Sequence, residues 1–132
     1  VPHADVVSYG IVDLDGAELT SGKDVPIKSI IEKPSVDEAP SNYAVAGRYV
    51  LPAEIWPLFR RTPLGAGGEF QLTDTIDLLM NIENVHAYAA VGHSHDCGNK
   101  EGYTKTFIEV ALRHPDIGPN IARYIKELAA TL

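Results

Sequence analysis

The run Val25-Pro26-Ile27-Lys28-Ser29-Ile30-Ile31-Glu32-Lys33-Pro34 constrains the fold of this chain more than any other stretch. Its β-branched residues, Val25, Ile27, Ile30 and Ile31, suit a largely buried strand. Pro34 has no N–H to donate and biases Lys33 toward an extended conformation, so strand pairing is expected to stop there. The strand would thus deliver a carboxylate and an ammonium side by side at its end. Ligands of open α/β sheets bind at such ends. A carboxylate can accept hydroxyl protons from a sugar, and a lysine can neutralise a phosphate. Taken alone, the triplet reads first as a solvated strand end, and other segments must decide.

A chain of 132 residues, 45% of them hydrophobic, is long enough for one cored domain and short for two. A net charge of −7 argues against nucleic acid or an anionic membrane surface as the main partner. A phosphate ligand remains compatible, because local lysines matter more there than net charge. No apolar run approaches the length of a membrane span. Residues 1–5 do not begin a signal peptide, which would pair a basic segment with an apolar one. The lone Cys97 excludes an internal disulfide and favours a reducing compartment, so a cytoplasmic location is expected. A chain that starts at Val1 rather than methionine fits a fragment or a processed product.

The remaining segments alternate between strand and helix patterns. Residues 5–13 read as a strand, closed by the turn Asp13-Leu14-Asp15-Gly16. Residues 35–41 form a loop. Residues 42–51 read as a second central strand, with Tyr43, Val45 and Gly47 on one face. A glycine inside a strand marks a bulge, a tight packing contact or the close approach of a ligand. A short helix is expected from Ala53 to Phe59, burying Ile55, Trp56 and Phe59. The glycine-rich stretch 60–69 lacks the Lys-Ser/Thr pair of a P-loop and reads as a mobile connection. Residues 71–80 predict a helix capped by Thr73, with Leu72, Ile76, Leu79 and Met80 as its apolar stripe. Residues 85–91 predict a strand. Helices are expected from Gly102 to His114 and from Asn120 to Thr131, the last burying Ile121, Tyr124, Ile125 and Leu128.

The densest group of potential ligands is His93, His95, Asp96 and Cys97. Its spacing suits zinc poorly, because adjacent Asp96 and Cys97 cannot readily converge on one tetrahedral ion. Nor does anything beyond sequence proximity to the histidines support a nucleophilic Cys97. A single carboxylate at a strand-to-loop junction fits magnesium better, since that ion takes one or two carboxylates plus phosphate oxygens and water. Asp96 could equally cap the following turn.

Four segments occur in order and at suitable spacing: Ile31-Glu32-Lys33-Pro34, Asn42 to Val50, Gly68-Glu69-Phe70-Gln71-Leu72-Thr73-Asp74, and Ser94-His95-Asp96-Cys97-Gly98-Asn99-Lys100. Together they resemble the C-terminal half of the bacterial UTP–glucose-1-phosphate uridylyltransferases, a sugar nucleotidyltransferase family, over essentially the whole chain. The resemblance implies an α/β fold: part of a Rossmann-like nucleotidyltransferase, with a mixed sheet, flanking helices and a C-terminal helical segment. It implies uridylyl transfer from UTP to glucose-1-phosphate, giving UDP-glucose and pyrophosphate. In that scheme Glu32 accepts hydrogen bonds from glucose hydroxyls, Gly47 brings its backbone close to the sugar, and Lys33 holds the sugar phosphate as the catalytic cation. Asp96 is one of two aspartates binding the catalytic Mg2+. Glu69 has no assigned role and reads otherwise as an exposed loop acid. The glycine-rich nucleotide loop, the uridine pocket and the other metal aspartate have no counterpart in residues 1–132, so this chain is expected to be inactive alone. Residues 1–132 then form one sugar-phosphate-binding portion, with helices 102–131 the segment expected to carry homo-oligomer contacts. The competing readings are a sugar nucleotidyltransferase for another base and a non-catalytic assembly module.

Overall fold

The computed structural model describes residues 1–132. They fall into two compact units, Val1–Val91 and Gly92–Leu132.

The first unit is built around β1 (Gly10–Asp13), which pairs antiparallel with β3 (Ser29–Glu32) in the register Gly10↔Glu32, Ile11↔Ile31, Val12↔Ile30 and Asp13↔Ser29. A second antiparallel ladder joins β2 (Asp24–Pro26) to β4 (His86–Tyr88). The run 25–34 is therefore two strands rather than one. The Ile27 N–H donates to the Val85 carbonyl at 3.0 Å, and the next residue, Lys28, donates to the Asp13 carbonyl at 2.8 Å. The chain changes partner between those two residues, just after Pro26, which has no N–H to offer.

Three strand expectations shorten, residues 85–91 forming a strand only over His86–Tyr88. Residues 5–13 begin as a 3-10 turn, His3–Ser8, held by Asp5 N–H to Pro2 and Tyr9 N–H to Val6 carbonyl bonds. Only Val6 within that turn is buried, so no strand face needs covering before Gly10. Residues 42–51 reduce to one antiparallel bridge, Ile11↔Ala44, with Val12 donating to Tyr43 and Val45 donating to Gly10. Gly47 has φ +66, which ends extended geometry, and Val50 is fully exposed.

Helix α1 (Ile55–Phe59) and helix α2 (Leu72–Leu79) pack on each other, and α2 also packs on β3. The apolar stripe of α2 is as its spacing predicts: Ile76 and Leu79 are buried with Val12, Leu14, Ile30 and Ile55, while Leu72 and Met80 pack against that cluster. Each such leucine contributes about 1.5–3 kcal/mol by leaving water. Helix α1 buries Ile55 alone; Trp56 is 68% exposed, because five residues offer too short a face to bury three large side chains. A buried hydroxyl pair, Thr62 with Thr75 at 2.8 Å, ties the end of α1 to α2.

The second unit is a helix pair, α3 (Lys100–Arg113) and α4 (Gly118–Ala129). Asn99 caps α3 by accepting from the Gly102 N–H at 2.8 Å. A Cβ at Gly118 would collide with the Leu112 carbonyl, so glycine is what lets α4 start so soon after α3. Ile121 and Ile125 are half-buried, but Tyr124 and Leu128 stay exposed, since one neighbouring helix covers only part of the apolar face. No helix is long and apolar enough to cross a membrane.

Candidate functional site

The β1–β3 ladder ends where the triplet begins. Opposite Gly10, Glu32 closes the register; the Lys33 N–H still donates to the Tyr9 carbonyl at 3.0 Å, and Pro34 then has nothing to donate. Pairing stops at Pro34 as expected, but Lys33 is not extended. Its φ is +46, a left-handed conformation uncommon for a residue with a Cβ. Successive side chains in a regular strand point to opposite faces. The turn of the backbone at Lys33 breaks that alternation, and its Nζ lies 4.0 Å from Glu32 Oε1. At that length and with the lysine side chain half-exposed, the contact holds neither group tightly. The ammonium stays available to an anion.

Glu32 is the more enclosed partner, with 16% of its side chain exposed. Three elements set its position. The backbone is fixed by β1; the Thr73 hydroxyl, on the first turn of α2, donates to Oε2 at 3.1 Å; and Gly10 leaves the room the carboxylate occupies. A Cβ on Gly10 would stand 2.9 Å from Thr73 Cγ2 and 3.1 Å from Glu32 Oε2. Tyr49 feels the same carboxylate: partial burial, and secondly the negative charge of Glu32, push its phenol above the usual value.

Thr73 does not cap α2. Gln71 holds the cap position without a side-chain bond, and Thr73 is buried inside the helix. Gly10, Thr73 and Tyr49 are the neighbours of Glu32 that sequence reasoning missed, although Thr73 lies within the quoted segment 68–74. Only the register could have revealed Gly10.

Gly47 uses its freedom. With φ +66, its Cβ position meets no protein atom within 4 Å. Glu69 is exposed.

Asp96 belongs to the second unit. Its Oδ1 accepts from the Gly98 N–H at 2.8 Å, the turn-capping role open to it from sequence, and the residue is exposed. No three His, Cys, Asp or Glu side chains converge as a metal cage. The donor set here is a single oriented carboxylate, which suits magnesium, since that ion keeps several waters and borrows phosphate oxygens. An open depression beside it is lined by Cys97, Gly98, Asn99, Lys100, Tyr103 and Thr104.

An acid and a lysine thus stand together at a strand end of an α/β scaffold. The chain belongs to the nucleotidyl transferase family, whose sequence model matches residues 1–111. It is 52% identical over 126 residues to the UTP–glucose-1-phosphate uridylyltransferase of Escherichia coli (strain K12), covering 96% of this chain and 42% of that protein. To the enzyme of the same name from Haemophilus influenzae it is 49% identical over 132 residues, covering 100% of this chain and 45% of that protein. Among solved structures it superposes with a TM-score of 0.84 on the UTP-bound UGPase from Acinetobacter baumannii, at 43% identity over 97% of this chain and 43% of that one. A UDP-glucose pyrophosphorylase complexed with UDP-glucose matches 80% of this chain and 39% of its own, with 36% identity and a TM-score of 0.72. The fold is thus that of the nucleotidyltransferases, and the chain spans less than half the length of these relatives.

Proposed function

We propose that these residues form the sugar-phosphate side, the C-terminal portion, of a UTP–glucose-1-phosphate uridylyltransferase. The observation that carries this reading is the enclosed Glu32 carboxylate with the Lys33 ammonium turned to the same side, 4.0 Å away. A sugar phosphate presents the complementary pair, hydroxyl protons next to an anion. The relatives at 49–52% identity bear the enzyme's name.

In the reaction a phosphate oxygen of glucose-1-phosphate attacks the α-phosphorus of UTP. The new O–P bond forms as the bond from the α-phosphorus to the bridging oxygen breaks, and pyrophosphate leaves with that electron pair. Such chemistry is driven by positioning and charge neutralisation. Glu32 accepts hydrogen bonds from glucose hydroxyls, and Lys33 neutralises the attacking phosphate and holds it in line. Gly47, with open space where a side chain would stand, lets its backbone approach the sugar. Asp96 would supply one carboxylate to Mg2+, which when bound adds positive charge at the phosphate oxygens. The nucleotide side falls to residues outside these 132, so the chain does not catalyse transfer alone. Helices 102–131, whose Tyr103, Phe107, Tyr124 and Leu128 are exposed, are the proposed surface for homo-oligomer contact. The acidic charge disfavours nucleic acid and anionic membranes as partners, and the free thiol of Cys97 fits a cytoplasmic setting.

In the complete enzyme carrying these residues, Lys33→Ala is expected to lower turnover about 10²-fold. Glu69→Ala should stay within about twofold of the parent, as exposed surface changes do. Equal losses in steady-state assays would overturn the phosphate role of Lys33.

A further inference from the structure

We propose that Thr73 is a positioning residue that divides the labour of the two Glu32 oxygens, so that the enzyme selects a particular sugar hydroxyl. This inference rests on the sugar-binding reading of Glu32. Oε2 is taken by the Thr73 hydroxyl at 3.1 Å, whereas Oε1 is the oxygen 4.0 Å from Lys33 Nζ. A carboxylate free to rotate would offer either edge to any hydroxyl within reach. Held at Oε2, it offers the lone pairs of Oε1 in one direction, on the side where Lys33 would hold the phosphate.

Thr73 is built for that task rather than for the helix. Threonines inside helices commonly bond the carbonyl four residues back, as Thr75 does to Gln71 at 3.3 Å. Thr73 is the second residue of α2, and the residue four before it, Glu69, is extended rather than helical. Its hydroxyl therefore has no helical carbonyl below it and reaches across to β3. On the other side its Cγ2 lies over Gly10, so close that a Cβ there would come within 2.9 Å. Thr73 is 3% exposed, so water does not compete for the bond. A hydrogen bond to a buried or half-buried charge is among the stronger kinds.

The test compares kcat/KM for glucose-1-phosphate with that for its 2-, 3- and 4-deoxy analogues, in the complete enzyme. Glu32→Ala first identifies the hydroxyl that Glu32 reads, as the analogue against which discrimination collapses. Thr73→Val, which keeps the shape and removes the donor, should lose about tenfold in kcat/KM for glucose-1-phosphate and little for that one analogue. Thr73→Ser should restore the discrimination. Thr73→Cys, shaped like the serine variant but a weak donor, serves if the valine variant does not fold, and should behave as that variant would. A uniform drop for all four sugars, or undiminished discrimination, would overturn the positioning role while leaving Glu32 as a sugar ligand. If Glu32→Ala leaves every discrimination ratio unchanged, the sugar-binding reading falls and this inference falls with it.

Discussion

Gly10 stands directly opposite Glu32 in the β1–β3 ladder, and the hydrogen in place of its side chain is what allows the carboxylate and Thr73 to meet over it. Its φ is not positive, so the requirement is one of space and not of backbone conformation. Gly10→Ala should force Thr73 or Glu32 to move, at a cost of about 1–3 kcal/mol in stability. Chemical denaturation would measure that cost. Titration with glucose-1-phosphate in the complete enzyme should show weakened binding at temperatures where the variant remains folded. Unchanged affinity would mean that the carboxylate can serve from a displaced position.

Gly47 and Gly67 form a matched pair for separating strain from ligand contact. Their φ values are +66 and +72, and a Cβ at either meets nothing within 4 Å. Alanine at each should cost about 1 kcal/mol or somewhat more through left-handed strain alone. Only Gly47→Ala is expected to weaken glucose-1-phosphate binding as well. Calorimetry on both variants, with melting curves beside it, checks the difference. Equal affinities would remove Gly47 from the sugar site.

The Thr62–Thr75 pair holds α1 to α2 through buried hydroxyls; with one proton each, one donates across the pair while the other donates to a carbonyl of its own turn, Leu58 for Thr62 or Gln71 for Thr75. Thr75→Val should cost about 1–2 kcal/mol, since Thr62 loses a partner where water cannot replace it. The double variant Thr62→Val/Thr75→Val should be less destabilised than the sum of the two single changes, by about 0.5 kcal/mol or more. Urea unfolding of all four proteins gives the coupling; strict additivity would show the contact to be idle.

Beyond Pro34, Ser35 gives two hydrogen bonds to one carboxylate oxygen. Ser35 Oγ donates to Glu38 Oε2 at 2.6 Å, and the Ser35 N–H reaches the same oxygen at 3.4 Å. The hydroxyl bond is the main cause, and the backbone bond the lesser, of a Glu38 pKa held below the usual 4.5. A depressed carboxylate stabilises the folded chain above its unfolded value, and that contribution fades as pH falls through the folded value. The loss thus occurs below about pH 4.5, on the acid side. In Ser35→Ala the Glu38 side-chain carbon signal should titrate closer to 4.5. An unmoved midpoint would assign the depression elsewhere.

Much of this was legible in the residues, and the misses have a common cause. Hydrophobic spacing located the later helices, because a 3.6-residue stripe survives whatever partner covers it, and the proline at its start located α1. Ile76 and Leu79 were read as core and are core. Strand extents failed, since β-branched composition reports willingness to extend and not whether a neighbour is present to pair. Residues 5–8 and 46–51 had the composition without the partner. At the site, sequence placed Glu32 beside Lys33 but assumed extended backbone before Pro34; the left-handed Lys33 is a tertiary outcome that no local rule favours. Thr73 looked like a cap because threonine before an apolar stripe often is one. Its bond to Glu32 spans 41 positions, beyond the reach of any local pattern.

The change of partner at Ile27 and Lys28 makes the segment behave like a vernier between two scales. Its first half is read against β4 and its second against β1, with no slack residue between them. A slip of one position against either strand would have to be matched at once against the other, and would turn Ile30 out of the core. Substitutions at Val25 or Ala87, remote from the carboxylate along the chain, should therefore be felt at Glu32 as an error of placement rather than as a loss of contact.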